Sequence, residues 1–425
     1  MENDKGHNVA SVHKLASVLI ALSLYLFLLD VILLGSGAWS INIVGFSLRK
    51  IEYAVMLTMV MVTISSFRGY IYICMALLFC LVSGIIVPLA NNVKLEYATT
   101  ELLSLLGILL CPLIVQNSFI SSHWLRIRKF IFILTILSAL CHIAVWVVGL
   151  SGSSYIDSIR SLLIRTLTIS NDDLIDNILI ADTPDGLFRV LLPSSSLLVI
   201  GFYISLQKLV RDRHFFDYFI VGIMIIALFS TWTRALYLSP ALLLLGLCIY
   251  KLFPLTLKLG GIGTYLLFTS LIVLFILISG GLVHPEVLSL LGISSETSDD
   301  VRFEQVAWIL NTFLEHPIFG TGLGGSAEDI RSLVAPWTYE MSLLALIMKL
   351  GVVGCLFFVV ISASQIPHLL SGFFNGEKLS AQKVIWLMFS FSILIMFSTN
   401  PFMLSFPGVT LTFFILGELN YFMKE

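Results

Sequence analysis

The chain is a succession of long apolar runs separated by short polar breaks, and the runs are continuous rather than alternating residue by residue. They fall at 15–35, 51–66, 70–90, 101–119, 130–150, 190–207, 216–231, 235–250, 261–281, 338–364, 384–399 and 406–422. A helix needs about 20 apolar residues to cross a hydrocarbon core, whereas a barrel strand would alternate over about 10. The pattern therefore predicts an all-α polytopic integral membrane protein with about 12 transmembrane helices, built as a single transmembrane domain over 1–425.

The stretch 216–250 is too long for one crossing and has to fold back on itself. Its polar interruption is Thr231-Trp232-Thr233-Arg234, which predicts a tight turn there. Pro240 then falls near the first turn of the second helix, where its missing N–H costs least.

Two polar intervals exceed ordinary loop length, 151–189 and 283–337, and both are expected on the outer side. In the second, Phe303, Val306, Ala307, Leu310 and Leu314 recur at helical spacing, which predicts an amphipathic helix capped by Asp299 or Asp300. Another short helix is expected from Ser326, where Ser326 and Asp329 have capping-box-like spacing. Such helices lie along a membrane interface. No internal repeat is visible, which argues against transporter architectures built from duplicated halves.

Composition removes water as the main solvent: 58% of the 425 residues are hydrophobic, 12% are charged, and mean hydropathy is +1.00. The net charge of −2 matters less than its distribution. With the N-terminus inside, the inner segments collect most of the basic residues, including Arg126, Arg128, Lys129, Lys208, Arg211 and Arg213, as the positive-inside rule requires. Both termini are then cytoplasmic. The polar start, Met1 to Lys14, leads into an apolar run without a small-residue cleavage site, so the first helix is expected to be a retained signal anchor. No basic footprint for nucleic acid is present. Cys74, Cys80, Cys111, Cys141, Cys248 and Cys355 all lie in apolar runs without metal or redox spacing and read as packing residues.

Candidate chemistry collects on the outer side. Arg160, Arg165, Arg189, Arg234 and Arg302 stand where topology disfavours cations, and guanidinium forks bind phosphate oxygens in bidentate fashion. The alternative is headgroup anchoring, or pairing with Asp172, Asp173, Asp182, Asp185, Asp299 or Asp300. Glu340 opens an apolar helix after Pro336 and Trp337, a position that suits either a helix-dipole partner or a general base. Between them, Pro317 to Gly325 is glycine-rich but lacks the preceding strand of a dinucleotide loop. It reads as a sharp reversal, with amides open to an anion as one alternative. Lys349 lies roughly 13 Å further along the helix from Glu340 and on its opposite face, so the two are not expected to touch. Asp30, Glu101 and His142 interrupt apolar runs and are expected to have structural partners.

The run Glu315-His316-Pro317-Ile318-Phe319-Gly320-Thr321-Gly322-Leu323-Gly324, then Trp337 to Glu340, then Leu350-Gly351-Val352-Val353-Gly354, resembles the O-antigen polymerase and ligase superfamily of bacterial polysaccharide assembly. Thr231 to Arg234 matches the arginine-bearing turn of that family, and Val301-Arg302-Phe303 with Trp308 matches its arginine-led amphipathic helix. The resemblance implies a metal-independent inverting glycosyltransferase, without cofactor, in the bacterial inner membrane with its active site facing outward. Its donor would be an oligosaccharide carried on undecaprenyl pyrophosphate. Arg234 and Arg302 would hold the pyrophosphate, and Arg189, Trp308, Gly322 and Tyr339 would line the substrate site. Related ligases keep a histidine at the polar helix start, where this chain reads Thr338-Tyr339-Glu340. That departure favours a repeat-unit polymerase with Glu340 as base over a ligase that transfers glycan to lipid A core. Pathway partners on this reading are membrane lipid, a flippase and a chain-length regulator. A transporter or flippase for lipid-linked oligosaccharide is the expectation from another class.

Overall fold

The computed structural model describes residues 3–34, 42–43, 46–64, 66–151, 179–182, 188–192, 194–252, 296–330, 335–370, 380–422 and 424. The protein is all-α, with two short hairpins among the described residues. Helix α1 (Asn3–Leu29) ends in a π turn, Asp30–Leu34, and strands β1 (Asn42–Ile43) and β2 (Phe46–Ser47) precede α2 (Leu48–Thr63). Helix α3 (Phe67–Leu81) passes through a π turn, Val82–Ile86, into α4 (Val87–Ala90). Then come α5 (Leu95–Gln116), α6 (Ser118–Ser122) and α7 (Trp124–Leu150). Strands β3 (Leu179–Asp182) and β4 (Phe188–Leu191) pair antiparallel, with Ala181 opposite Arg189. The remaining helices are α8 (Leu198–Asp212), α9 (Phe215–Ser230), α10 (Arg234–Leu252), α11 (Glu296–Glu315), α12 (Ser342–Leu370), α13 (Ala381–Thr399) and α14 (Phe406–Phe422).

Among the described residues, six helical stretches are long and apolar enough to cross a membrane: Ala16–Leu33, Phe67–Ala90, Leu95–Gln116, Trp124–Leu150, Ser342–Ser364 and Ala381–Thr399. Their outward faces are as apolar as their inward ones. Leu78 is 59% exposed, Leu356 60% and Val360 57%, a surface that suits lipid and not water. Ile51–Thr63, Phe215–Ser230 and Ala235–Cys248 are shorter apolar helices. The expected break is present, with α9 and α10 separated by Thr231–Thr233. The expected span 261–281 lies outside the described residues, as do most of 151–189 and the first part of 283–337.

Two local expectations are corrected. Helix α11 runs from Glu296, so Asp299 and Asp300 lie within its first turns and do not cap it. Residues 326–330 are irregular, because the chain there is drawn onto neighbouring side chains instead of closing its own helical hydrogen bonds. The apolar stripe of α11 is not its protein-facing side: Leu310 and Leu314 are exposed, and Gln305, Ile309 and Thr312 are buried.

The chain divides into two compact units. The first comprises Met1–Leu78, Ser104–Leu236 and Phe406–Glu425. Its interior is pinned by Glu418 of α14, whose carboxylate accepts from Trp124 Nε1 at 2.9 Å and Tyr203 Oη at 3.0 Å and pairs with Arg128 at 2.9 Å. His142 of α7 is also engaged, its ring nitrogens 2.7 Å from Ser138 O and Ser195 Oγ. Those contacts give this buried histidine the structural partners its sequence position calls for. The second unit comprises Phe79–Leu103 and Tyr237–Ser405. Its cluster of Ile309, Ala327, Tyr339, Ala345 and Met348 joins α11 to α12, with Trp308 packed against it.

Candidate functional site

In the second unit the glycine run and a break in α12 complete each other. Gly351 has φ 64 and ψ −177, a conformation only glycine adopts readily, and it interrupts the hydrogen-bond ladder of α12. In an unbroken helix the amides of Val352 and Val353 would bond the carbonyls of Met348 and Lys349. Here Val352 N donates to Pro317 O at 2.9 Å and Val353 N to Ile318 O at 3.0 Å. The two released carbonyls accept instead from Thr321 N at 3.1 Å and Gly322 N at 2.9 Å. The loop thus replaces the missing helical bonds one for one, so backbone is unwound inside an apolar span with none of these groups orphaned.

The rest of the loop is equally engaged. Leu323 N donates to Ser83 O at 2.9 Å, in the π turn after α3, and Gly324 N donates to a Glu101 carboxylate oxygen at 2.7 Å. Asn91 Nδ2 reaches the carbonyls of Gly320 and Thr321 at 3.1 and 3.2 Å. A Cβ on Gly322, which has φ 86, would lie 2.6 Å from Pro88. The loop amides are therefore not open to an anion, and Gly322, expected to line the substrate site, has its N–H held by Lys349 O. Gly322 is a close-packing position of the lock.

Beneath the loop, Lys349 Nζ stands 2.5 Å from Glu101 and 2.7 Å from the carbonyl of Trp337. Trp337 stacks on Tyr97, with ring centroids 4.3 Å apart. Lys349 is thus tied to the entry of α12, not to Glu340 itself.

Glu340 is half-buried at that entry, and its backbone is held from both sides. Its N–H donates to Gln305 Oε1 of α11 at 3.0 Å. Before it, Tyr339 is fully buried, accepting from Ala327 N at 2.7 Å and donating to Asp329 O at 3.2 Å. Burial, and the Asp329 carboxylate nearby, hold the Tyr339 phenol above its ordinary range, so it stays a neutral donor. After it, Ser342 Oγ donates to Asn400 O at 2.9 Å and to Phe397 O. The structure thus brings Trp308, Tyr339 and Glu340 together at the junction of α11 and α12, with Arg302 one turn before Gln305 on the same helix.

In the first unit, Arg189 and the turn before Arg234 meet. Arg189 lies on β4, and its Nε donates to Thr231 O at 3.1 Å while Nη2 donates to Thr233 Oγ1 at 3.3 Å. Two arginines widely separated in sequence therefore belong to one turn at the ends of two apolar helices. Sequence reading missed Gln305, one of many polar residues in its helix and not set apart by any spacing. The Glu101–Lys349 pair had a signal, one acid and one base each inside an apolar run, but no spacing rule that joins them. No protein-family model matches the sequence, and no curated protein is similar to it.

Proposed function

We propose that the protein is a membrane-embedded polymerase of bacterial polysaccharide, a metal-independent inverting glycosyltransferase whose donor is a glycan on a polyprenyl pyrophosphate. In this reading about 12 helices cross the inner membrane, both termini are cytoplasmic, and the site faces outward. The observation that carries it is the Gln305–Glu340 junction, which ties the backbone of half-buried Glu340 to the helix that bears Arg302.

The chemistry follows from those groups. Glu340 takes the proton of the acceptor hydroxyl as its oxygen attacks the anomeric carbon of the donor. The bond from that carbon to the pyrophosphate oxygen breaks with inversion, and the electron pair leaves on the phosphate. Arg302, on the helix joined to Glu340, is the cation assigned to that developing charge, a role guanidinium fills without changing protonation, and the sequence resemblance assigns the same role to Arg234. The products are a lengthened lipid-linked glycan and free polyprenyl pyrophosphate, so the donor bond supplies the driving force. Trp308 packs at the same junction and suits a sugar face, whereas Tyr339 acts through the backbone it anchors. The exposed Leu310 and Leu314 give α11 an apolar side for the membrane interface.

A second reading, transport of the same lipid-linked glycan, draws on the broken α12 and the buried charges beside it, since transporters build sites from unwound helices. Against it, the loop amides and the carbonyls released at the break are already consumed by each other. Purified protein in liposomes with polyprenyl-pyrophosphate oligosaccharide separates the cases. The polymerase reading expects longer glycans and released carrier, both lost in Arg302→Ala and Arg234→Ala variants that still insert into the membrane. Translocation without lengthening would establish transport, and transfer to lipid A core alone would establish a ligase.

A further inference from the structure

The turn between α9 and α10 is held in a conformation that its own sequence does not favour. Trp232 has φ 45, in the left-handed region, where a bulky side chain is rarely found outside over-determined sites. Neither flanking residue is a glycine or an asparagine that would make such a turn easy. The residues on either side of Trp232, Thr231 and Thr233, are buried. Local bonds begin the turn: Thr231 N donates to Leu228 O at 3.2 Å, Trp232 N to Phe229 O at 3.1 Å, and Thr233 Oγ1 to Thr231 O at 3.1 Å. These bonds close the end of α9, but they reach no other element.

The outside contact comes from Arg189. One guanidinium spans Trp232, bonding the carbonyl of the residue before it and the hydroxyl of the residue after it. A planar fork with donors in fixed directions can set both groups at once, which a flexible ammonium does less well. Arg189 is itself fixed by β4, where it pairs with Ala181 across the hairpin, and its neighbour Val190 is fully buried. The residue that follows this bracket is Arg234, the first of α10.

We infer that Arg189 is a positioning residue: through Thr231 and Thr233 it holds Trp232 in the left-handed conformation and so sets the direction from which Arg234 enters α10. What Arg234 does from there rests on the function proposed above, whereas the bracket itself does not. The loss of Arg189 lets the turn relax toward the conformations a tryptophan prefers.

The test uses full-length protein labelled with 5-fluorotryptophan, in which the Trp232 resonance is assigned by Trp232→Phe. Arg189→Gln and Thr233→Val should each displace or broaden that resonance and leave the other tryptophans in place, with Arg189→Lys intermediate. The double variant should be no further displaced than the single ones, because both remove one device. A Trp232 resonance unchanged in folded Arg189→Gln overturns the inference. Glycan lengthening read on the same samples should fall at least tenfold in kcat with little change in KM, and again non-additively. Effects on kcat that multiply in the double variant would give Arg189 a direct role on substrate and overturn the positioning role. If the resonance moves and lengthening does not, the bracket stands and the role of Arg234 falls. If the wild-type protein lengthens no glycan, the functional proposal fails and the resonance still decides the bracket.

Discussion

Lys349 and Glu101 form an ion pair 2.5 Å long with both side chains almost fully buried, 3% and 6% exposed. One comes from α12 and the other from α5, and each also holds backbone: Lys349 the carbonyl of Trp337, Glu101 the amide of Gly324. The pair therefore gathers the glycine loop and the approach to Glu340 around two charges inside an apolar unit. Its removal tests that role. Lys349→Met leaves a buried carboxylate without its cation and should destabilise the protein by about 3–5 kcal/mol. Adding Glu101→Gln neutralises that carboxylate while keeping an acceptor for Gly324, and should restore part of the loss. Thermal unfolding in detergent measures both, and equal melting of the single and double variants would contradict the coupling.

Gln305 offers a second test. Its oxygen is the acceptor for the Glu340 amide, so Gln305→Leu leaves that donor unmatched at a cost of about 1–3 kcal/mol. On the polymerase reading Gln305→Leu should slow glycan lengthening by freeing the backbone that positions Glu340. Full activity in folded Gln305→Leu while Glu340→Gln is inactive would separate the base from this partner.

The break in α12 leaves no room for a side chain. A Cβ on Gly351 would lie 2.4 Å from Gly320 N and 2.5 Å from Ile318 O, and φ 64 already disfavours any side chain. Gly351→Ala should therefore prevent the loop from seating against α12. Protease digestion of membranes would show cleavage within 317–325 in the variant and protection in the parent.

Tyr339 gives an alkaline signature. Its phenol is raised from 10.0 mainly by burial, so the folded state holds the proton more tightly than the unfolded chain. The stability it lends is complete below pH 10 and falls as pH rises through the folded value. Tyr339→Phe removes this dependence and leaves Ala327 N without its acceptor, at a cost of about 1–3 kcal/mol at neutral pH. Melting temperatures of both proteins from pH 8 to 11 should differ most at the neutral end and converge above pH 10.

The sequence by itself determined the helical class and the break between helices at Thr231–Thr233, because continuous apolar runs admit one backbone solution in lipid and a polar interruption marks where a helix can end. It also marked Asp30, Glu101 and His142 as residues in need of partners, since a polar side chain in an apolar run must find one. It did not say which partner, because Lys349 meets Glu101 across distant chain positions that no helical spacing connects. The glycine run showed the same limit. Its composition allowed either an anion cradle or a packed reversal, and the choice depended on carbonyls released by a helix break at Gly351, far along the chain. In α11 the apolar stripe marked an amphipathic helix but not which side meets protein: Gln305 is buried and Leu314 is exposed, because lipid as well as protein can cover an apolar side chain. Local pattern fixes the elements; only the tertiary structure decides which backbone and side-chain groups answer one another, since that depends on distance in space and not on order in the chain.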